Sequence, residues 1–392
     1  HYPENNVLRQ IWQFLYEGVN RANYMEENKA NIDFEGKEAM YGEVYFLRAY
    51  YYFELVKFFG DVPLFTEARL TAGQAGTLTR TPKDEVYAQI ELDLQNAIAS
   101  LPNSQSQVGR VNKYTAYALL GKVLLYQDKF AEAASALDNV IGVYSLVSDY
   151  GSQFLRFGEN GPESVFEIQY SNQSNWYDWG CAHCSEGNYA IIMNGPRGWS
   201  GPEYAQGWSF NVPTEEFYNS FEEGDSRRDA TVLDIEAFAA ATGASYTEGY
   251  DHTGYFNNKY IPRAGESGGQ TELNYLTNFR IIRYSDVLLM AAEAYNRGGI
   301  DDGLAQEFLN QVRRRAFGGD DNDISASGSA LTDAIWEERK FELSLEGHRF
   351  FDLVRTGRAS SLIAGFVEGK HEVFPIPQQE VDISGLTQNA GY

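Results

Sequence analysis

A run of aromatic residues near the start of the chain limits the possible folds more than any other feature. Residues 42–65 read GEVYFLRAYYYFELVKFFGDVPLF. Placed on a helical wheel, the run puts Glu43, Glu54 and Lys57 in one narrow stripe, and apolar side chains cover most of the remaining circumference. A helix that is apolar nearly all round lies inside a protein. The run therefore predicts a buried helix over 37–59 rather than an exposed surface on which a ligand stacks.

One charged residue interrupts this apolar surface. Arg48 projects into the middle of the apolar arc of the predicted helix. A buried guanidinium without a partner would be very unfavourable. We therefore predict that Arg48 pairs with an acidic side chain or with backbone carbonyls of a neighbouring helix.

The first part of the chain, residues 1–150, has helical periodicity apart from a polar Gly/Thr-rich loop at 66–81. The small residues Ala116, Ala118 and Gly121 have the spacing typical of a tetratricopeptide unit, in which paired helices approach closely. The predicted helical segments are 5–29, 37–59, 81–102 and a helix–turn–helix over 112–143 that breaks near Asp128.

Helical periodicity returns in residues 281–392. A second helix pair is predicted over 281–317, and the sequence from 330 to 357 reads as one further long helix. Residues 151–280 differ, because Gly, Asn, Ser and Trp dominate there and strand-like pieces such as SVFEIQY are short. We interpret 1–150, 151–280 and 281–392 as parts of one integrated, mainly α-helical domain with a large irregular insert.

The insert contains the residues that best suit a sugar. A sugar ring packs its C–H groups on an aromatic face and presents hydroxyls around its edge. Residues 170–208 interleave Trp and Tyr with polar side chains and turn formers. The alternative is a small aromatic core that pins a long loop. The candidate ligand-binding residues are Trp176, Trp179 and Trp199 first, then Tyr177, Tyr204, Trp208, Asn175, Asp178 and Arg197.

The two cysteines of the chain form one local motif, Cys181-Ala-His-Cys184. It could close as a disulfide that stiffens the Trp-rich loop, remain as free thiols, or serve a metal or redox site. A zinc site needs four ligands, and a thioredoxin-like pair needs a strand-to-helix context that is not evident. We favour the disulfide.

The charge of the chain excludes several ligands. A formal net charge of −24 and a pI near 4.6 repel phosphate backbones, so nucleic acid is an unlikely partner and a neutral ligand fits better. No cofactor is predicted. Asp320, Asp321 and Asp323 resemble part of a calcium loop, but the Gly and the distal Glu of an EF-hand are missing.

Four segments resemble the SusD/RagB family of nutrient-binding outer-membrane lipoproteins of Bacteroidetes. They are RAN at 21–23, LRAYYYFELVKFFGDVPLF at 47–65, ERKFELSLEGHRFFDLVRTG at 338–357 and VFPIPQQEVDISGLTQNAGY at 373–392. The resemblance implies a SusD-like fold with tetratricopeptide-like helix pairs. It also implies a lipid anchor that precedes this chain, a SusC-like TonB-dependent transporter as partner, and an oligo- or polysaccharide ligand.

Two other functions compete with non-enzymatic glycan binding. RagB-like members of the same family bind peptides, although regular repeats rather than a Trp-rich insert would suit a peptide groove. A glycoside hydrolase would need two positioned carboxylates, and 55 acidic residues make such pairs uninformative. The sequence contains no nucleophile elbow, HExxH motif or phosphate loop.

Overall fold

The structure is a computed structural model that describes residues 2–173, 186–267 and 273–392. Most of the regular structure is helical. The helices are α1 (Asn6–Asn28), α2 (Lys37–Phe59), α3 (Lys83–Ser100), α4 (Lys113–Leu125), α5 (Phe130–Asp138), α6 (Ala190–Met193), α7 (Glu215–Asn219), α8 (Arg227–Thr231), α9 (Ile235–Thr242), α10 (Tyr284–Arg297), α11 (Asp302–Phe317), α12 (Gly328–Glu342), α13 (Arg349–Arg355), α14 (Ala359–Leu362) and α15 (Gln378–Ser384).

The strands are short and pair two by two. They are β1 (Ser164–Ile168), β2 (Arg197–Ser200), β3 (Val232–Asp234), β4 (Ser245–Thr247), β5 (Tyr255–Asn257) and β6 (Phe279–Arg283), and they form the antiparallel pairs β1–β6, β2–β4 and β3–β5. No helix among the described residues combines the length and the apolar character that crossing a bilayer requires. The predicted mainly α-helical class with short strands in the insert is confirmed.

The chain divides into two compact units. Unit 1 comprises His1–Val140 and Phe350–Tyr392, and unit 2 comprises Ile141–Arg349. The predicted division at 150 and 280 follows the change in sequence pattern rather than these units, and it stays a prediction.

Unit 1 is built around α2, as the aromatic run predicts. The rings of Tyr41, Phe46, Tyr52 and Phe59 are fully buried. Paired helices also approach closely in this unit: a Cβ added to Gly121 of α4 would lie 2.5 Å from Leu137 of α5. Each ring of this size buries 150–250 Å² of surface when it packs in a core.

The predicted pairing of Arg48 is confirmed. Its residue surface is 4% exposed, and its guanidinium makes a bidentate ion pair with Asp93 of α3, with Nε–Oδ2 and Nη2–Oδ1 distances of 2.8 and 2.7 Å. Nη1 donates to Asn23 Oδ1 and to the carbonyl of Thr66. The pair therefore ties α2 to α1, α3 and the segment that follows Pro63.

The C-terminal segment is held by two amide side chains. Gln388 donates to and accepts from the backbone of Ile376, at 2.8 and 2.7 Å. Asn389 donates to the carbonyls of Phe59 and Phe374, and its oxygen accepts from Arg80. The Gln-Asn motif near the end of the chain thus has a structural role, because it binds the C-terminal tail to the end of α2.

In unit 2 the prediction of one long helix over 330–357 is wrong. Helix α12 ends at Glu342, and the backbone turns through Leu345 and Gly347, which have φ angles of 63° and 85°. Such angles are unusual for a leucine. The turn brings the carboxylate of Glu346 onto Arg283 and Lys259, at 2.8 and 2.7 Å, and α13 begins only after it.

A buried network of opposite charges joins the insert to the last helices of unit 2. Arg283, at the end of β6, contacts Glu163, Glu342 and Glu346 at 2.6, 2.9 and 2.8 Å. The side chain of Glu342 is also 2.6 Å from Arg315 and 3.1 Å from Arg227. The network contains the cations Arg227, Lys259, Arg283, Arg313 and Arg315 and the carboxylates of Glu163, Asp225, Glu338, Glu342 and Glu346.

Candidate functional site

The described part of the predicted binding segment folds against β4 and the residues that follow it. Strand β2 pairs with β4, with Arg197 opposite Thr247 and Ser200 opposite Ser245. The chain then returns alongside its own start, because the backbone amides of Trp208 and Phe210 donate to the carbonyls of Ile192 and Met193 at 2.9 Å. These contacts fix one compact surface from an otherwise irregular stretch.

Trp199 is half-buried within an aromatic cluster. Its ring lies 5.9 Å from the rings of both Tyr204 and Phe238, measured between centroids, and the rings of Tyr204 and Phe238 are 5.1 Å apart. The cluster packs on Ile235 and Phe256. Among the described residues, nothing accepts a hydrogen bond from the Trp199 indole nitrogen.

Tyr204 is the most buried of these three rings. It is only 5% exposed, its hydroxyl donates to Asn258 Oδ1 at 3.2 Å, and burial raises the pKa of Tyr204 to about 12. The structure thus gives Tyr204 a packing role, the alternative raised by the sequence. Its contact with a ligand stays a prediction.

Trp208 and Arg197 meet at the surface. Trp208 is half-buried and packs against a cluster that includes Tyr150, Ile191 and Tyr260. Arg197 is exposed, and its Nε donates to the carbonyl of Trp208 at 2.9 Å. The guanidinium is therefore held in place beside the tryptophan, with part of its hydrogen-bonding capacity left toward solvent.

Two exposed aromatic residues that the sequence analysis did not single out directly follow Ser209 and Gly249, which lie close to each other and to Arg197. Phe210 is 53% exposed and Tyr250 is 91% exposed. A Cβ added to Gly249 would lie 2.7 Å from Ser209 Cβ and 3.9 Å from Arg197 Cδ, so the neighbours of both rings are in contact. We call Arg197, Trp199, Trp208, Phe210 and Tyr250 the Arg197 surface.

A signal for Tyr250 was present in the sequence. It stands in TEGYDHTG, an aromatic residue among turn formers. The same composition marked residues 170–208 as a candidate site. What the sequence could not show is that β2–β4 pairing brings residues forty positions apart onto one surface.

The remaining predicted site residues lie outside the described residues. They are Asn175, Trp176, Tyr177, Asp178, Trp179, Cys181 and Cys184. Their roles in ligand binding, and the disulfide, stay predictions.

No cluster of three metal-ligating side chains occurs in the residues that the structure describes. In the acidic loop, both carboxylate oxygens of Asp323 accept from Arg314, with a shortest distance of 2.6 Å. This pairing accounts for one of the three aspartates that resemble a calcium loop.

The fold and the similarity to known proteins define the class: the chain belongs to the SusD family. A model described as the SusD family matches residues 234–365. A second, described as starch-binding and associating with the outer membrane, matches residues 2–125. The resemblance inferred from the four sequence segments is thereby confirmed.

Three particular proteins are similar over nearly the whole chain. A laminarin-binding SusD-like protein has 38% identity and a TM-score of 0.88, covering 98% of this chain and 86% of its own. Surface glycan-binding protein A from Bacteroides thetaiotaomicron, in complex with laminarihexaose, has 30% identity and a TM-score of 0.86, with coverages of 97% and 85%. SusD-like protein P2 from Formosa agariphila is 29% identical over 99% of this chain and 81% of its own length.

Proposed function

We propose that this protein binds a neutral glycan of the laminarin type at the outer-membrane surface without cleaving it. The observation that carries the proposal is the Arg197 surface, where a guanidinium is held beside Trp208 and the chain goes on to the exposed Phe210. Rings supply apolar faces for sugar C–H groups, and a guanidinium donates to hydroxyls. The two structures with laminarin or laminarihexaose in their names support the choice of glycan.

The charge of the protein favours the same ligand. Laminarin is an uncharged glucose polymer, and a net charge of −24 disfavours anionic polymers but not neutral ones. The similar solved structures are named as glycan-binding proteins, which supports binding rather than cleavage. Binding without catalysis is therefore the simplest function for this surface.

The cellular setting follows from the family. We propose that a lipid anchor preceding this chain holds the protein on the outer face of the outer membrane, and that it delivers its glycan to a SusC-like TonB-dependent transporter. The matching model described as associating with the outer membrane supports the location. Co-purification of such a transporter with the tagged protein from outer membranes would test the partner.

Calorimetric titration with laminarihexaose tests the glycan. Replacing Tyr250 by Ala should weaken binding about three- to tenfold, because one stacked ring contributes about 0.5–1.5 kcal/mol. Phe210→Ala should weaken binding less, since that ring is more covered. Trp176→Ala and Trp179→Ala test the predicted residues outside the described part.

Phe157→Ala is the matched control, because Phe157 is an equally exposed aromatic residue of unit 2 at 79%. It should bind like the wild type. If Tyr250→Ala and Phe157→Ala bind laminarihexaose equally, the Arg197 surface is not the site. Binding of a peptide library in place of glycans would favour the RagB-like alternative, and release of reducing sugars would favour a hydrolase.

A further inference from the structure

Unit 1 contains a cleft that the proposed site does not use. It lies between α1, residues 63–78 and α15, and its volume is about 330 Å³. That volume is at the lower end of the range of about 300–1,000 Å³ found for ligand pockets. The cleft therefore has room for one or two sugar rings.

The walls of the cleft are aromatic and rigidly held. The rings of Tyr16 and Phe65 are stacked, with centroids 5.6 Å apart and an angle of 13° between their planes. Trp12 lies 4.9 Å from Tyr16 and meets Phe59 edge-on at 5.0 Å. The Tyr16 hydroxyl donates to the carbonyl of Pro63 at 2.8 Å, which fixes its ring. Side chains that are already fixed lose little conformational freedom when a ligand packs against them.

The polar groups of the cleft suit hydroxyls rather than anions. Glu17 and Gln13 are exposed, and the side-chain oxygen of Asn20 accepts from the backbone amide of Leu70 at 3.1 Å. Burial raises the pKa of Glu380 on the opposite wall. No lysine, arginine or histidine is among the described residues that line the cleft. An anionic ligand would find no cation in this described lining, and the Glu17 carboxylate is already paired with Arg21 at 2.5 Å.

We infer that this cleft is a second glycan-binding site, which takes one or two rings of a neutral oligosaccharide. Apolar aromatic and aliphatic side chains with acceptor oxygens at the rim match a sugar, which presents C–H faces and hydroxyl edges. The exposed side chains of Gln13 and Glu17 at the rim can form hydrogen bonds with ligand hydroxyls. The inference rests on the proposed function, because it assigns the same class of ligand to a separate part of the molecule.

Titration of ¹⁵N-labelled protein with laminarihexaose tests the site through the tryptophan indole resonances. The conservative variant Trp12→Phe identifies the Trp12 signal. We expect that signal to shift on titration and to keep shifting in Tyr250→Ala. In the double variant Gln13→Ala/Glu17→Gln, the midpoint of the Trp12 shift should rise at least fivefold. Both replaced side chains are exposed, so the fold should not change.

Glu35→Gln is the matched charge control, since Glu35 is exposed on a loop away from the cleft and should leave the Trp12 titration unchanged. A Trp12 signal that stays still while calorimetry shows weakened binding in Tyr250→Ala would overturn the second site and leave the first intact. A Trp12 shift that disappears in Tyr250→Ala would also overturn it, because the shift would then report the Arg197 surface. The absence of any binding would overturn both.

Discussion

The main buried charges of the two units are arranged differently. In unit 1, the buried Arg48 meets a single carboxylate, Asp93, in a bidentate pair among aromatic rings. In unit 2, five buried cations share five buried carboxylates, and Glu342 alone contacts three arginines. When both members of an isolated pair are replaced, no buried charge is left without a partner. When one member of a shared network is replaced, several groups of opposite charge lose a partner.

This difference in buried charge follows from the secondary structure of each unit. The long helices of unit 1 satisfy their own backbone hydrogen bonds and need only apolar faces to pack. The insert of unit 2 has short strands and turns, and its hydrophobic clusters are small. Its residues Arg227 and Lys259 are instead fastened to α12 and the turn after it by charged hydrogen bonds, which are stronger than neutral ones.

The largest effect is expected for Glu342→Gln in the network of unit 2. Glu342 accepts from Arg227, Arg283 and Arg315, and these cations hold the pKa of its carboxyl well below the usual range despite burial. The variant keeps the shape but removes the charge, so buried cations are left in excess. The free energy of unfolding should fall by about 4 kcal/mol, as measured by urea denaturation with hydrogen exchange in β6 and α12.

Asp229→Asn is the control for this change, because it removes a carboxylate from an exposed pair with Arg228. Its effect should stay below about 1 kcal/mol, since solvent screens the pair. Equal losses in the two variants would mean that the network does not hold unit 2 together.

A somewhat smaller effect is expected for Arg48→Met in unit 1. The change leaves the Asp93 carboxylate buried with only Gln89 as a described side-chain donor, at 3.1 Å. The free energy of unfolding should fall by about 3 kcal/mol. The double variant Arg48→Met/Asp93→Leu should recover more than half of that loss, because neither charge remains buried.

The equivalent double change in unit 2 sharpens the comparison. Glu342→Gln combined with Arg315→Met should recover little, because Arg227 and Arg283 still lack their shared carboxylate. Recovery to the same extent in both units would show that the network behaves as independent pairs. Double-mutant cycles of this kind measure the coupling directly.

The same contrast explains what the sequence could predict. Arg48 was identifiable because the helical period of 37–59 is unambiguous, and a charge inside an apolar arc must have a partner. Arg283 and Lys259 stand in irregular sequence, where no period shows which way a side chain points. The break after Glu342 was missed for a related reason: 330–357 has helical composition, and only the long-range contacts of Glu346 require the turn at Leu345 and Gly347.

The candidate site shows the same limit. Aromatic and turn-forming composition singled out Trp199, Trp208 and Arg197, of which the structure joins Arg197 to Trp208, and their contact with a ligand stays a prediction. It could not separate the buried Tyr204 from the exposed Tyr250, because burial there depends on the pairing of β2 with β4. The cleft of unit 1 was missed altogether, since its aromatic walls come from segments that each read as core.

The smallest effect is a pH dependence specific to unit 2. Burial lowers the pKa of Lys259 to about 8, although Glu346 lies 2.7 Å away. In the unfolded chain the lysine pKa is about 10.4. Between these values the unfolded state binds the proton and the folded state releases it, so stability rises with pH. From pH 7 to pH 9.5, Lys259 should contribute a gain of about 2 kcal/mol to the free energy of unfolding.

The variant Lys259→Met isolates this contribution, because it removes the titrating group while Glu346 keeps its contact with Arg283. Urea denaturation at the two pH values should show a smaller rise in the variant than in the wild type. Parallel pH profiles would mean that Lys259 keeps its proton in the folded state. The five carboxylates would then be neutralised by five full charges throughout this range, and the network would be as insensitive to alkaline pH as the single pair of Arg48 and Asp93.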